Sequence, residues 1–241
     1  MESAQTPVRL ALLGGFRLLT GEDQLTVSSG SERLLAFLAL SCRSVSRDLM
    51  AATLWPDVSE RRAHACLRSA LARLDGAGRR MVRVETTEVR LCPETGVDFD
   101  VARSLARRIL DPAARPDEND LSARAVEVLS DALLPGWYHD WVLAAAEEWH
   151  QLRLHALEAL SALFVRAGRF ADAVTAATVA AHAEPLRESA RAALIEAHLA
   201  EGNQAEALGH FHRYERLLHA ELGLRPTPRL QELVSALRMA P

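Results

Sequence analysis

Residues 60–74 read ERRAHACLRSALARL. At 100° per residue this stretch is an amphipathic helix. Leu67, Ala70, Leu71 and Leu74 gather on one face with Ala63 beside them, and that face reads as core. Ala65, Ser69 and Ala72 lie opposite. Arg61, His64 and Arg68 flank this crest on one side, and Arg62, Cys66 and Arg73 on the other. Small residues at a crest let a helix approach the floor of a DNA major groove, and a guanidinium fork matches both guanine edges and phosphates. The plainer reading is a solvated outer face, the normal condition of a surface helix. Against it, no Asp or Glu occurs between Arg61 and Leu74, so the usual i,i+4 acid–base pairs are missing.

The neighbouring segments give this helix a place. VRLALLGGFRLL (8–19) alternates loosely around Gly14-Gly15 and, with GEDQLTV, predicts two or three short strands. SERLLAFLALSC (31–42) switches to helical spacing, with Ser29 or Ser31 as its cap. SRDLMAATLW (46–55) is a second short helix, capped by Ser46 and stopped by Pro56. In MVRVETTEVRLCP (81–93), Val82, Val84, Val89 and Leu91 alternate about Glu85 to Glu88, which predicts a hairpin. Arg83 and Arg90 then point to its other side, with Arg79 and Arg80 at its base. The order is strands, helix, helix, helix, hairpin. The third helix of such an order is the place of a recognition helix followed by a wing.

Charge is distributed accordingly. The chain has 28 Arg, no Lys, 32 Asp or Glu and a net charge of −4. Residues 1–97 hold 13 Arg against 11 acids, and 98–241 hold 15 Arg against 21. Within 61–90 there are eight Arg and three acids. A local basic patch on an acidic chain is a better nucleic-acid signal than the total. No apolar run approaches the roughly 18 residues a membrane helix needs, and MESAQTPVRL lacks the charged and apolar regions of a signal peptide. Cys42, Cys66 and Cys92 are odd in number with no CxxC pair, so they read as reduced thiols in a cytoplasm.

From Val101 onward the chain reads as helices, interrupted at DPAARPDEND (111–120) and LPG (134–136). The boundary falls near 94–100, giving domains of 1–97 and 98–241. GRFADA begins at Gly168 and GNQAEA at Gly202, 34 residues apart, which is the tetratricopeptide period. Leu157, Leu160 and Phe164 fall where the first helix of such a repeat carries large residues. Ala173, Ala180 and Pro185 fall where the small residues and the closing proline belong. Ala207 and Phe211 keep their places in the second copy, whereas Tyr214 replaces a small residue. The fold expected is mainly α with small β: a winged helix-turn-helix followed by an all-α, tetratricopeptide-like repeat.

LLGGFRLL, VSRDLMAATLWPDV, LRSALARL, LLPGWYHDWV, AEPLRESA, HLAEGNQAEAL and ERLLHAELGLRPTP together resemble the SARP family, the Streptomyces antibiotic regulatory proteins. These join an OmpR-type winged helix to a bacterial transcriptional activator domain. The resemblance implies a sequence-specific activator that binds tandem promoter repeats as a dimer and contacts RNA polymerase, including its sigma subunit. A secondary-metabolite gene cluster is the implied target. On this chain it implies a reading helix from Glu60 to Leu74, a wing from Met81 to Pro93, and a polymerase contact in the loop Trp55 to Ser59. Within that loop Asp57 and Val58 are the contact candidates, with Trp55 in the core. The DNA-binding set is Arg61, Arg62, His64, Ala65, Arg68, Ser69, Arg73, Arg83 and Arg90, with Arg68 as base reader and Arg62 and Arg73 on phosphate. One departure is Asp75-Gly76 after Leu74, where the resemblance implies further basic residues. With no nucleotide-binding ATPase module read after these helices, the resemblance implies the short form of the family.

An enzyme is the first competing reading, but GxSxG, GxxxxGK[ST], HExxH and a strand-linked GxGxxG are all missing. No cofactor is expected. His210 and His212 fall on different faces of one helix and read as surface residues, since zinc needs three or four converging ligands. Trp137, Tyr138 and Trp141 read as anchors of a turn into the core, with a ligand pocket as the alternative. A second competitor is a protein- or effector-binding repeat scaffold with a degenerate winged helix.

Overall fold

The computed structural model describes residues 8–41, 43–114, 117 and 119–238. Cys42 lies outside these residues, as do Arg115, Pro116 and Glu118 of the 111–120 interruption. The chain forms two compact units, residues 1–101 with 132–149, and residues 102–131 with 150–241.

The first unit opens with β1 (Val8–Ala11), β2 (Arg17–Thr20) and β3 (Asp23–Leu25). β1 and β2 are antiparallel with Leu10 opposite Leu18, and β2 pairs with β3. α1 (Ser29–Ser41), β4 (Val45–Ser46), α2 (Arg47–Leu54) and α3 (Glu60–Ala72) follow. The cap of α1 is neither of the two serines expected. Ser28 Oγ accepts from the Ser31 N–H at 3.3 Å. Ser31 is buried and its Oγ donates to the Ala70 carbonyl at 3.0 Å, fastening α1 to α3. Ser46 caps α2 as expected, accepting from the Leu49 N–H at 3.2 Å. Arg33 donates to the Leu54 carbonyl at 3.0 Å, satisfying an open end of α2. Leu34, Leu35, Leu38, Met50, Leu54 and Leu67 are the buried centre of this three-helix cluster.

A five-residue helix, α4 (Gly76–Arg80), precedes the hairpin of β5 (Val82–Val84) and β6 (Glu88–Leu91). Arg79 and Arg80 lie at the base of the hairpin, in the last turn of α4, and Arg79 donates to the Val82 carbonyl at 3.0 Å. The hairpin register is Val82–Leu91, Arg83–Arg90 and Val84–Val89, so the apolar and arginine faces separate as the alternation predicts. β4 adds a third strand, with Val45 opposite Val89. β7 (Gly96–Val97) runs parallel to β1 and completes a sheet ordered β3-β2-β1-β7.

α5 (Asp98–Leu110) follows directly. Asp98 accepts the N–H groups of Leu12 and Leu13 at 2.8 and 3.2 Å. Burial pushes its carboxyl up, against those backbone bonds, which pull it down. Residues 132–149 return to this unit: Leu133 bridges Leu13, and the Leu134 N–H reaches the Leu12 carbonyl at 2.9 Å. This pairing holds Leu134, a buried non-glycine residue, at a φ of 43°.

The second unit is helical: the remainder of α5, α6 (Ala123–Ser130), the later part of α7 (Asp140–Arg166), α8 (Phe170–Ala183), α9 (Glu188–Glu201), α10 (Gln204–Leu222) and α11 (Pro228–Arg238). The 34-residue period is a repeated helical hairpin, α7–α8 and α9–α10. Leu157, Leu160, Phe164, Ala173, Ala180 and Ala207 are fully buried at the positions the period assigns. α11 closes the stack: Leu230 and Val234 join Phe211, Tyr214 and Leu218 in one cluster. Among the described residues no helix is long and apolar enough to cross a membrane.

Candidate nucleic-acid interface

α3 buries Ala63, Leu67 and Ala70, and Leu74 after it is buried as well. Leu71, expected in the core, is only half-buried, because the helix ends at Ala72 and Leu71 sits at its open edge. The outward arc carries Arg61, Arg62, Ala65, Arg68, Ser69, Ala72 and Arg73, all exposed. Arg73 is the C-cap residue, its N–H bonded to the Ser69 carbonyl. No acidic side chain within α3 neutralises this arc after Glu60. The result is a cationic strip with a crest of Ala65, Ser69 and Ala72 lacking bulk.

His64 stands apart from the arginines. It is half-buried, and its Nε2 is 3.5 Å from Asp48 Oδ1 on α2. Of the other flank, Cys66 is half-buried and, like Cys92, not in a disulfide. On the hairpin Arg83 is exposed and Arg90 half-buried. They stand directly opposite one another, and two like charges so placed repel. Glu85 at the turn lies 4.0 Å from Arg90 Nε and relieves part of that repulsion.

Asp57 is exposed and Val58 half-buried in the connection between α2 and α3. Trp55, expected in the core, is half-buried instead. It borders a groove of about 560 Å³ between α2 and α3, together with Val58, Leu49 and Ala63. Leu49 is among the few large apolar residues left exposed.

A smaller cleft on the same unit was not foreseen. Arg47 at the start of α2 and Thr86 and Thr87 in the hairpin turn line about 220 Å³ with His64 and Arg68. The Arg47 N–H donates to the Thr87 carbonyl at 2.9 Å. The pairing of β4 with β6 also brings these segments together, and a two-residue strand leaves no periodic trace in sequence.

Two further expectations are corrected. Tyr138 does not anchor the turn into the core, since 83% of it is exposed. Trp137 and Trp141 are half-buried and form an edge-to-face pair, with Phe16 stacked on Trp137 and Phe37 edge-on to Trp141. In the helical unit His210 is not a surface residue. It is half-buried and stacks on the buried His198 at 5.1 Å between ring centroids. Burial, with Arg213, His198 and Arg191 nearby, pushes its imidazole down to about 4. Among the described residues no group of three or more metal-ligating side chains converges.

A winged helix with a cationic third helix, followed by a helical repeat, defines a two-part regulatory protein. The model of the bacterial transcriptional activator domain matches residues 97–238, and the chain belongs to that family, as a SARP-type regulator. It is 30% identical over 244 residues to Regulatory protein AfsR of Streptomyces griseus, covering 94% of this chain and 24% of AfsR. The AfsR of Streptomyces coelicolor (strain ATCC BAA-471 / A3(2) / M145) is 30% identical over 243 residues, covering 96% of this chain and again 24% of AfsR. The chain therefore spans about a quarter of the length of these curated relatives. A solved structure of Mycobacterium tuberculosis EmbR in complex with low affinity phosphopeptide is similar with a TM-score of 0.68. The likeness covers 97% of this chain and 66% of the EmbR chain at 20% identity, so the two share a fold. Both AfsR proteins are named as regulatory proteins.

Proposed function

We propose that this protein is a sequence-specific, promoter-binding activator of transcription. The observation that carries the reading is the exposed, acid-free arginine arc of α3, set around Ala65, Ser69 and Ala72. In this reading α3 enters the major groove and the hairpin of β5 and β6 lies along the adjacent backbone or minor groove, with Arg83 exposed and Arg90 half-buried on the face opposite its valines. Residues 1–97 form the DNA-binding domain and 98–241 the activator domain. The protein works in the cytoplasm, as a dimer on tandem repeats, and secondary metabolism is the setting the family suggests.

Activation is a separate step. The connection between α2 and α3 presents Asp57 and Val58 beside the reading helix, where RNA polymerase and its sigma subunit would meet a protein bound next to a −35 element. Asp57→Arg should leave DNA binding near normal while transcription by purified polymerase falls. Equal transcription from both proteins removes this connection from the mechanism.

The deciding experiment is a mobility-shift titration over a salt series, with promoter DNA recovered by footprinting. Binding should weaken steeply as salt rises, through counterion release. Arg62→Ala and Arg73→Ala should each weaken binding to all sequences, and a base-reading arginine would instead cost about 1–3 kcal/mol and relax one base position. A folded protein that binds no duplex at any salt refutes the reading and leaves the protein-binding scaffold in its place.

A further inference from the structure

The cleft between the hairpin turn, the start of α2 and the middle of α3 has an uneven chemistry. Two arginines, Arg47 and Arg68, and two threonines, Thr86 and Thr87, are among the residues that line it. No described residue forms an ion pair or side-chain hydrogen bond with either guanidinium. The one carboxylate present, Asp48, is largely exposed and has His64 Nε2 at 3.5 Å. Leu67 is the single apolar side chain of the lining.

The walls are fixed. The Arg47 N–H donates to the Thr87 carbonyl at 2.9 Å, and Ser46 pairs with Glu88 in the β4–β6 ladder. The hairpin turn is thereby tied to the first residue of α2. On the other wall Leu67, which is 1% exposed, anchors the turn of α3 that carries Arg68. Two cations and two hydroxyl donors held around one small space fit a single tetrahedral oxyanion. Guanidinium forks bind its two non-bridging oxygens and hydroxyls donate to whichever lone pairs remain. On a protein that docks α3 in a groove, the oxyanion that reaches this edge belongs to the DNA backbone.

We propose that the cleft seats one backbone phosphate of the bound duplex, held jointly by Arg47 and Arg68 with Thr86 and Thr87 as hydroxyl donors. The proposal rests on the DNA-binding reading above and alters one part of it. Arg68 becomes a phosphate contact shared between α3 and the hairpin, not a base reader. The seat sets the depth and register of α3, since backbone contacts position a protein on DNA while base contacts specify sequence.

The test uses the full chain, Arg47→Gln, Arg68→Gln and the double variant. Each is titrated over a salt series with a duplex selected by the wild-type protein from a random-sequence pool, and with an unselected duplex. Both single variants should lose affinity several-fold for the two duplexes alike. The double variant should flatten the logarithmic salt dependence by about one unit, because one phosphate is given up. Thr87→Val should lower affinity with the salt slope unchanged, since no charge is lost. A double variant that flattens the slope by about two units shows two separate phosphates and overturns the shared seat. So does a double variant indistinguishable from wild type, or an Arg68→Gln protein that relaxes preference at one base position. A wild-type protein that selects no duplex at all fails the DNA reading itself, a result distinct from these.

Discussion

The two copies of the 34-residue repeat share a backbone and differ in what fills it. At the first turn the Gly168 N–H reaches the Val165 carbonyl and the Arg169 N–H reaches Phe164, at 3.0 and 2.9 Å. At the second, Gly202 reaches Leu199 and Asn203 reaches His198, at 3.1 and 2.9 Å. Every partner is displaced by 34 positions. The side chains diverge. The buried face of α8 is alanine throughout, at Ala173, Ala176, Ala177, Ala180 and Ala181. On α10, Phe211 stands at the place of Ala177 and Tyr214 at the place of Ala180. The neighbours account for this. α8 packs extensively against α9, and an alanine face lets two helices approach closely. α10 packs against α9 as well but also meets the short closing helix α11, and Phe211 and Tyr214 fill the space together with Ile195 of α9 and Leu230 and Val234 of α11. The Tyr214 hydroxyl, which could not stay buried without a partner, donates to the Leu186 carbonyl at 3.1 Å. A repeat thus preserves hydrogen-bond geometry at its turns and lets side-chain volume follow whatever packs alongside.

The largest expected effect removes the bulk of the second copy. Phe211 is 1% exposed, and Phe211→Ala should cost about 3–5 kcal/mol of stability in urea denaturation. The reciprocal change, Ala177→Phe, puts that bulk into a filled site and should cost about 1–3 kcal/mol through overpacking. If Ala177→Phe is neutral, the alanine face is not setting the approach of α8, and the comparison fails.

A smaller effect depends on pH. His198 and His210 occupy the places of Phe164 and Ala176 in the first copy, so a stacked imidazole pair stands where the first copy has two buried apolar residues. The groups around His210 are His198 and Arg191 from α9 and Arg213 and Glu206 from α10. Its folded value of about 4 lies below the ordinary 6.5, so the unfolded chain takes up the proton more readily. The stability of the neutral form is therefore full above about 6.5 and is lost as pH falls toward about 4. Allowing for solvent screening at a half-buried ring, the loss should be no more than about 2 kcal/mol. His210→Ala, which restores the residue of the first copy, should flatten thermal stability across that interval. An unchanged pH profile in His210→Ala would detach the histidine pair from the acid sensitivity.

The same contrast marks what could be read in advance. The period of 34 was legible because turn residues and small residues recur wherever the backbone must repeat. The phase of α3 was legible because Ala63, Leu67 and Ala70 answer to one core, and its arginines followed as the other face. Ser28 was not legible as the cap of α1. Three serines compete at 28, 29 and 31, and the contest is decided by Ala70, whose carbonyl takes the Ser31 hydroxyl. α4 is five residues with two glycines, too short for a helical period. β4, β7 and the return of Leu133 to Leu13 each depend on a partner distant in sequence, so local alternation cannot announce them. The inward histidines were legible in principle. Aligning the copies at 34 residues places His198 on Phe164, a position already assigned to the core.

The smallest expected effect concerns the turns, where the copies should behave alike. Gly168 has a φ of 70° and Gly202 a φ of 90°, a region where a β-carbon crowds its own carbonyl oxygen. At both positions an added β-carbon meets no other atom within 4 Å, so packing contributes nothing and only backbone strain remains. Gly168→Ala and Gly202→Ala should each cost about 1–2 kcal/mol, and the double variant should cost the sum, because the turns share no partner. Asparagine, which tolerates this conformation better, should recover part of each loss. The measurement is urea denaturation of wild type, the three alanine proteins and the two asparagine variants side by side. A Gly202 variant several-fold more costly than its Gly168 counterpart would mean that the second turn carries a constraint the first lacks. The equivalence of the two backbones would then extend to hydrogen bonds alone and not to energy.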